Sequence, residues 1–340
     1  MKFKHTLVLL IILIVSAAFV FMIERPFENR SKKIREEAGL LFPELQIEQV
    51  HKLLVKKADE TTTTLQKRND LWYVDTDKEN YPADPQLINE AIKTLQALKK
   101  INLASRKKGK HALFQVKEKM GMEVSLFDQE NTELARLIVG KNGPDFFSTY
   151  IRKADENEVF LYERYLKGHY DKSVSNWRDK KIFDFDAEEV TEIKITKEEE
   201  TIVLSKDTKE NWHIEKPISL LAQNKEVEKI ITIFCSLKAS DFADEAVLQK
   251  SGLADPARRI SATLKDGKTK TLFIGNNKED RYYYAKSGDN DYLYLLYKAT
   301  IDNLNPSLKD LEKAEIDPEA AEEKHDEEPE APPMMPPSRR

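Results

Sequence analysis

The chain has 340 residues, 34% charged and 40% hydrophobic, with ten glycines and a net charge of −5. The length fits about two domains. Mild acidity and the lack of a basic block of nucleic-acid type leave nucleic acid out as an expected partner. A single cysteine, Cys235, excludes an intramolecular disulfide. Set among Ile231, Ile233, Phe234 and Leu237, it reads as a small buried apolar side chain.

Residues 1–5 are short and basic, and 6–23 follow with no charge. As a helix this run spans about 27 Å, close to the hydrocarbon core of a bilayer. A cleaved secretory signal ending at Ser16-Ala17-Ala18 competes with a retained anchor. The apolar run continues through Phe19–Ile23, so one single-pass signal anchor in the lipid bilayer is the expectation. Lys2 and Lys4 favour a cytoplasmic amino terminus, whereas Arg25, Arg30, Lys32, Lys33 and Arg35 pull the other way. The signal-like order of the segment sets the expectation of an extracytoplasmic body. Residues 24–47 form a linker, with a charged and potentially helical stretch at 29–38.

The stretch 48–74 returns at 188–214 at one constant spacing. Val50 meets Val190, Leu53 meets Ile193, Val55 meets Ile195, Glu60-Thr61 meets Glu200-Thr201, and Trp72 meets Trp212. Weaker matches continue downstream, ending with Leu137–Gly140 against Leu272–Gly275. A period this long is a whole domain used twice, since solenoid repeats run at roughly 20–50 residues. The predicted domains are 48–180 and 181–311. In each, alternating β-branched residues predict three strands, and a helix follows. The first helix is announced by Asp84-Pro85 and by Ile88, Ala91, Ile92, Leu95 and Leu98 at helical spacing. The second carries Val227, Ile230, Ile231, Phe234 and Leu237. Irregular connectors at 102–120 and 241–258 precede four more strands per copy. Asp266-Gly267 predicts a two-residue hairpin, and 163–172 a short helix. The predicted fold class is therefore α+β. Each of two tandem duplicated domains is a mostly antiparallel sheet with a helix packed on one face, behind one N-terminal transmembrane helix.

Residues 312–340 are acidic and then proline-rich, with too few apolar side chains to offset chain entropy. A disordered tail is expected, either solubilising or a docking peptide in extended polyproline form.

No catalytic, cofactor-binding or metal-ligating set stands out. His5, His51, His111, His169, His213 and His325 show no metal-ligand spacing. Gly140-Lys-Asn-Gly143 and Gly275-Asn-Asn lack the following helix that a phosphate loop needs, and read as turn glycines. Trp72 and Trp212, in the same place in each copy, read as core or helix-packing residues rather than ligand platforms. Tyr282, Tyr283 and Tyr284 with Tyr292 and Tyr294 form the one candidate binding surface. Stacking on sugar or peptide competes there with cross-strand packing.

These motifs resemble a bacterial membrane-anchored family called domain of unknown function 4340. The resemblance rests on Leu41-Phe42, on Trp72-Tyr-Val74 and Trp212-His-Ile214, on Tyr81-Pro-Ala-Asp84, on Gly252-Leu-Ala-Asp-Pro256 and on Ile274-Gly275. It covers about 40–310. The first copy has Ala112-Leu113-Phe114 in place of Gly-Leu-x-x-Pro, and the second helix starts at Ala222-Gln223 instead of Ala-Asp. The resemblance implies an address in the bacterial cytoplasmic (inner) membrane and an association with ABC-type transport components of the gliding-motility auxiliary type. The expected function is a non-enzymatic accessory or scaffold subunit of an envelope complex. A cell-wall or glycan-binding module using the tyrosine-rich strands is the alternative, and an enzyme with a site between the domains ranks last. No cofactor, metal or nucleic acid is expected.

Overall fold

A computed structural model describes residues 39–76, 79–243 and 245–313, with Leu13 and Ser16 besides. The rest of the expected anchor (6–23), the stretch 29–38 and the tail from 314 lie outside the described residues. The chain divides between Asp179 and Lys180 into two units.

Unit 1 runs β1 (Lys52–Lys56), β2 (Thr62–Arg68), β3 (Leu71–Asp75), β4 (Asn80–Pro82), α1 (Pro85–Gln96), β5 (Leu103–Ser105), β6 (Met122–Phe127), β7 (Glu133–Asn142), β8 (Thr149–Lys153), β9 (Val159–Tyr162), α2 (Lys167–Tyr170) and α3 (Val174–Trp177). Unit 2 runs β10 (Val190–Lys197), β11 (Glu200–Lys206), β12 (Trp212–Lys216), β13 (Leu220–Leu221), α4 (Asn224–Cys235), β14 (Asp241–Phe242), β15 (Arg258–Leu264), β16 (Thr269–Lys278), β17 (Tyr282–Ser287), β18 (Tyr294–Tyr297), α5 (Lys298–Leu304) and α6 (Leu308–Leu311). Each unit holds one nine-stranded sheet, ordered β4-β3-β2-β1-β6-β7-β8-β9-β5 in the first and β13-β12-β11-β10-β15-β16-β17-β18-β14 in the second. All pairings are antiparallel, so both units are α+β. The strands beyond the expected set, β4 and β5 with β13 and β14, span two or three residues each. That is too short to leave a period in the sequence.

Alternation places Leu53, Val55, Leu65 and Val74 on one face of the first sheet, all within 1% of full burial. Against them α1 turns Ile88, Ala91, Ile92 and Leu95. Each such aliphatic side chain contributes about 1.5–3 kcal/mol by burial. Asp84 caps this helix, its carboxylate accepting from the Gln86 and Leu87 amides at 2.8 and 3.3 Å. Helix α4 starts without a side-chain cap. Gln223 instead donates to the Glu312 carbonyl at 2.8 Å, and the Asn224 side chain accepts from the Trp212 amide at 2.9 Å. In the predicted helix 163–172, only Lys167–Tyr170 is α-helical. Its buried Tyr170 donates to the Ala91 carbonyl at 2.9 Å, and burial holds the phenol well above its ordinary range.

The ungapped match between the copies conceals two loop changes that cancel. In unit 1 the β1–β2 loop is 58–60, closed by Lys57 and Thr61, and β2–β3 turns on Asn69-Asp70 alone, both left-handed. In unit 2 β10–β11 turns on Glu198-Glu199, and the β11–β12 loop is 208–210. Between the two loops the true match is therefore displaced by one residue. Thr201 occupies the place of Thr62, not of Thr61, and Leu204 that of Leu65. A one-residue shift reverses every side chain on a strand. Only the displaced register lets Leu204 be buried, as Leu65 is. The Asp266-Gly267 hairpin also differs from expectation. Leu264 pairs with Lys268 around 265–267, with Gly267 at φ 81° closing the turn.

Gly140 and Gly275 are not turn residues. Both lie inside long strands, β7 and β16, at register shifts between Val139 and Asn142 and between Ile274 and Asn277. Over each passes the connector that covers the face away from the helix. A Cβ on Gly140 would strike the Phe114 carbonyl, and one on Gly275 the Ser251 carbonyl. The next amides bond those same carbonyls, Lys141 to Phe114 at 3.1 Å and Asn276 to Ser251 at 2.6 Å. This crossing identifies the counterpart of Gly252-Leu253 in unit 1 as Gln115-Val116. Gln115 sits at φ 56° where Gly252 sits at 72°. Val116 and Leu253 both pack into the small outer clusters. Arg152, 5% exposed, fixes the first connector by donating to the carbonyls of Val116, Ala154 and Glu156 at 2.9, 2.6 and 2.9 Å.

Gly140→Ala is expected to cost about 2–3 kcal/mol by overpacking. Gly109→Ala, with open space around it, should stay within about 0.5 kcal/mol. Urea midpoints of the two variants check this. Arg152→Met leaves buried carbonyls unpaired and should cost about 3 kcal/mol in the same assay.

Candidate functional site

The five candidate tyrosines lie on or beside β17 and β18, and the pleat divides them between two faces. Tyr282 and Tyr284 share the outer face with Leu293 and Leu295. Tyr283, Tyr292 and Tyr294 turn toward the helix side. Tyr294 is 1% exposed, packs on Phe242 with ring centroids 5.6 Å apart, and donates to the Asn290 side chain at 3.0 Å. Tyr284 is buried as well. An accessible stack does remain. Tyr282 and Tyr297 lie with ring centroids 5.1 Å apart at 28°, and the Arg281 guanidinium is 5.2 and 5.7 Å from the two rings. Tyr297 is 44% exposed. Sequence reading placed Tyr297 at the margin and missed Arg281, which Tyr282↔Tyr297 pairing brings over both rings.

Electrostatics separate the neighbours. Burial raises the Tyr282 phenol, and the Tyr297 hydroxyl adds to that. Tyr283 is lowered, chiefly by the hydrogen bond from Arg258, whose guanidinium lies 5.4 Å from the ring.

Trp72 and Trp212 are both buried in the cores beneath the helices, 7% and 2% exposed. Their carbonyls accept the Ala83 and Ala222 amides at 2.8 and 2.9 Å, which sets each helix start against the sheet. Gly140 and Gly275 serve the backbone crossings described above. Cys235 is buried, with its thiol raised by that burial. Among the described residues, no group of three His, Cys, Asp or Glu side chains is placed to hold a metal ion.

A cleft of about 960 Å³ in unit 2 was not foreseen. It opens where β11 leaves β12, at the register shift between Val203 and Leu204. Ile202, Pro217, Pro306 and Leu308 give it apolar walls, and Lys197 and Glu200 charge its rim. Its sequence signal is the shortened β10–β11 loop, which the ungapped alignment hid.

His213 also has a defined role. Its Nε2 donates to the Asp207 carboxylate at 3.0 Å. The other oxygen of Asp207 accepts from the Lys209 and Asn211 amides at 2.7 and 2.9 Å. These bonds, that from Asn211 foremost, lower the Asp207 carboxyl from 3.8 to about 2.

Fold and site thus define a tandem-duplicated α+β protein, each copy a helix-backed antiparallel sheet whose distinctive residues hold backbone crossings and core. The chain belongs to the family described as Domain of unknown function (DUF4340), which matches residues 72–256 and again 212–322. Both matches begin on the equivalent tryptophans, Trp72 and Trp212. No curated protein and no solved structure matches the chain significantly.

Two titrations check this geometry. A carboxyl lowered on folding stabilises the fold above its unfolded value, and that contribution is lost as pH falls through the folded one. The wild-type urea midpoint should therefore drop between about pH 4 and pH 2, and Asp207→Asn should drop less in that window while being weaker at neutral pH. Arg258→Gln should raise the Tyr283 phenol, read by ultraviolet titration of the phenolates against Tyr283→Phe.

Proposed function

We propose that the chain is a non-enzymatic, single-pass membrane protein whose duplicated body acts as an accessory or scaffold subunit of an envelope complex. The observation that carries this reading is the use of the repeat-defining residues. Trp72 and Trp212, and Gly140 and Gly275, do the same packing work in each copy. The sequence has therefore kept two frameworks rather than elaborated one reactive centre. The uncharged run 6–23 supplies the anchor in this reading, with the body on the extracytoplasmic side of a bacterial inner membrane. Among the described residues, no helix is long and apolar enough to cross a membrane. The family resemblance supplies the partner class, ABC-type transport components of the gliding-motility auxiliary type. The cleft in unit 2 offers a partner's apolar segment a walled place with charges of both signs at its rim.

The glycan-binding reading keeps one specific support, the Tyr282–Tyr297 stack beside Arg281. Binding to isolated wall material that is lost on Tyr282→Ala and Tyr297→Ala would favour it.

Purification of the full chain from native membranes in mild detergent, with mass spectrometry of what accompanies it, tests the leading reading. Transporter ATPase and membrane subunits should be recovered, and Thr201→Trp, which fills the cleft, should lower their yield at least tenfold. Recovery of the chain alone while known complexes survive, or robust hydrolase activity of the purified protein, contradicts it.

A further inference from the structure

Unit 1 carries an exposed apolar and basic surface that unit 2 does not repeat. The β7–β8 hairpin closes over 144–147. The Gly143 amide donates to the Ser148 carbonyl at 2.9 Å and the Phe146 amide to the Gly143 carbonyl at 3.2 Å. The Asp145 carboxylate turns back to accept from the Ser148 amide at 2.8 Å. This tied loop presents Phe146 and Phe147 to solvent, each 76% exposed. Phe146 sits at φ 62°, a left-handed conformation that costs a bulky residue energy. The fold itself does not require the rings. At the tip of the β16–β17 hairpin the same place is taken by exposed Glu279 and Asp280.

Beside this tip lies a basic run. Arg106, Lys107, Lys108 and Lys110 are exposed on the connector, followed by Leu113 at 59% exposure. Arg106 pairs with Glu158 at 3.0 Å. Among the described residues no carboxylate stands within ion-pair distance of Lys107, Lys108 or Lys110. Phe114 fixes this run to the same hairpin, its ring 4.6 Å from that of Tyr150 and its carbonyl bonded to the Lys141 amide. At about 3.3 Å per residue the tip stands some 10–15 Å beyond that junction. The corresponding connector of unit 2 carries Asp244 and Glu245 instead of lysines. Nearby carboxylates are Asp145, turned inward to Ser148, and Glu118 on the connector.

We propose that this surface docks unit 1 onto an anionic phospholipid bilayer, with Phe146 and Phe147 in the interfacial layer and Lys107, Lys108 and Lys110 over the headgroups. A solvent-facing aromatic pair is costly in water unless it meets an apolar or interfacial phase. Lysines without protein partners fit a negative surface, where each strengthens association roughly fivefold. The proposal rests on the anchor reading only for the nearness of a bilayer. The chain between 23 and 39 spans at most about 55 Å when extended, which keeps the tip within reach.

The test uses the full chain carrying Phe147→Trp, reconstituted into vesicles of brominated phosphatidylcholine with and without phosphatidylglycerol. The native Trp72, Trp177 and Trp212 are buried, so wild-type protein sets the background. Added quenching is expected in the anionic vesicles, weaker in the neutral ones, and reduced roughly fivefold per lysine in Lys107→Gln, Lys108→Gln and Lys110→Gln combinations. Vesicle flotation after an alkaline carbonate wash reports the anchor separately. Flotation without added quenching overturns the docking surface, as does quenching equal in both lipids. Quenching with flotation lost in carbonate keeps the surface and removes the anchor, whereas no flotation at all removes both. An unquenched Trp together with loss of a co-purified protein from Phe147→Ser assigns the tip to a protein partner and also overturns the proposal.

Discussion

In each copy a backbone carbonyl rests directly on a strand glycine, and the rest of the unit is arranged around that contact. The helix covers one face of the sheet. The other face, over the strands that follow the helix, is covered by a connector with little regular structure. A connector can lie this close only where the strand beneath has no Cβ, so Gly140 under Phe114 and Gly275 under Ser251 set the height of the whole layer. From that height follow the outer clusters around Val116 and Leu253, and in unit 1 the buried arginine that ties connector to strand.

Much of this was legible in the chain. The paired tryptophans, the apolar face of the first helix and the alternation of Ile193 and Ile195 carry period and burial together, and the structure places all of them in the cores. What escaped did so for physical reasons. The edge strands are too short to show a period. The exchange of one residue between two hairpins left the length unchanged, so alignment paired Leu65 with Ser205, although the pleat needs an apolar residue there and Leu204 supplies it. Gln115 holds the backbone shape that glycine holds in the other copy, and a residue type that rarely enters that region gives no signal. The glycines were visible, but a strand glycine under a crossing and a turn glycine after a strand look alike in sequence. The cleft and the Arg281 stack depend on pairing that no single segment encodes.

The copies share a framework and differ where the framework is indifferent. Asp84 caps one helix, while Gln223 gives up the cap for a bond to the Glu312 carbonyl. One hairpin tip carries two phenylalanines and the other two carboxylates. One connector is basic and its counterpart acidic. Duplication with retained core and diverged rims suits a body that meets different neighbours with each copy, which is how an accessory subunit beside a membrane would use it.

Amide hydrogen exchange at Lys141 and Asn276 tests the central claim most directly. Each amide bonds the crossing carbonyl in its own unit, so both should be protected like the core strand amides and both should lose protection when the glycine before them becomes alanine. Exchange at either position as fast as in an exposed loop would show that the connector does not rest on the strand there, and the shared construction of the two copies would fail.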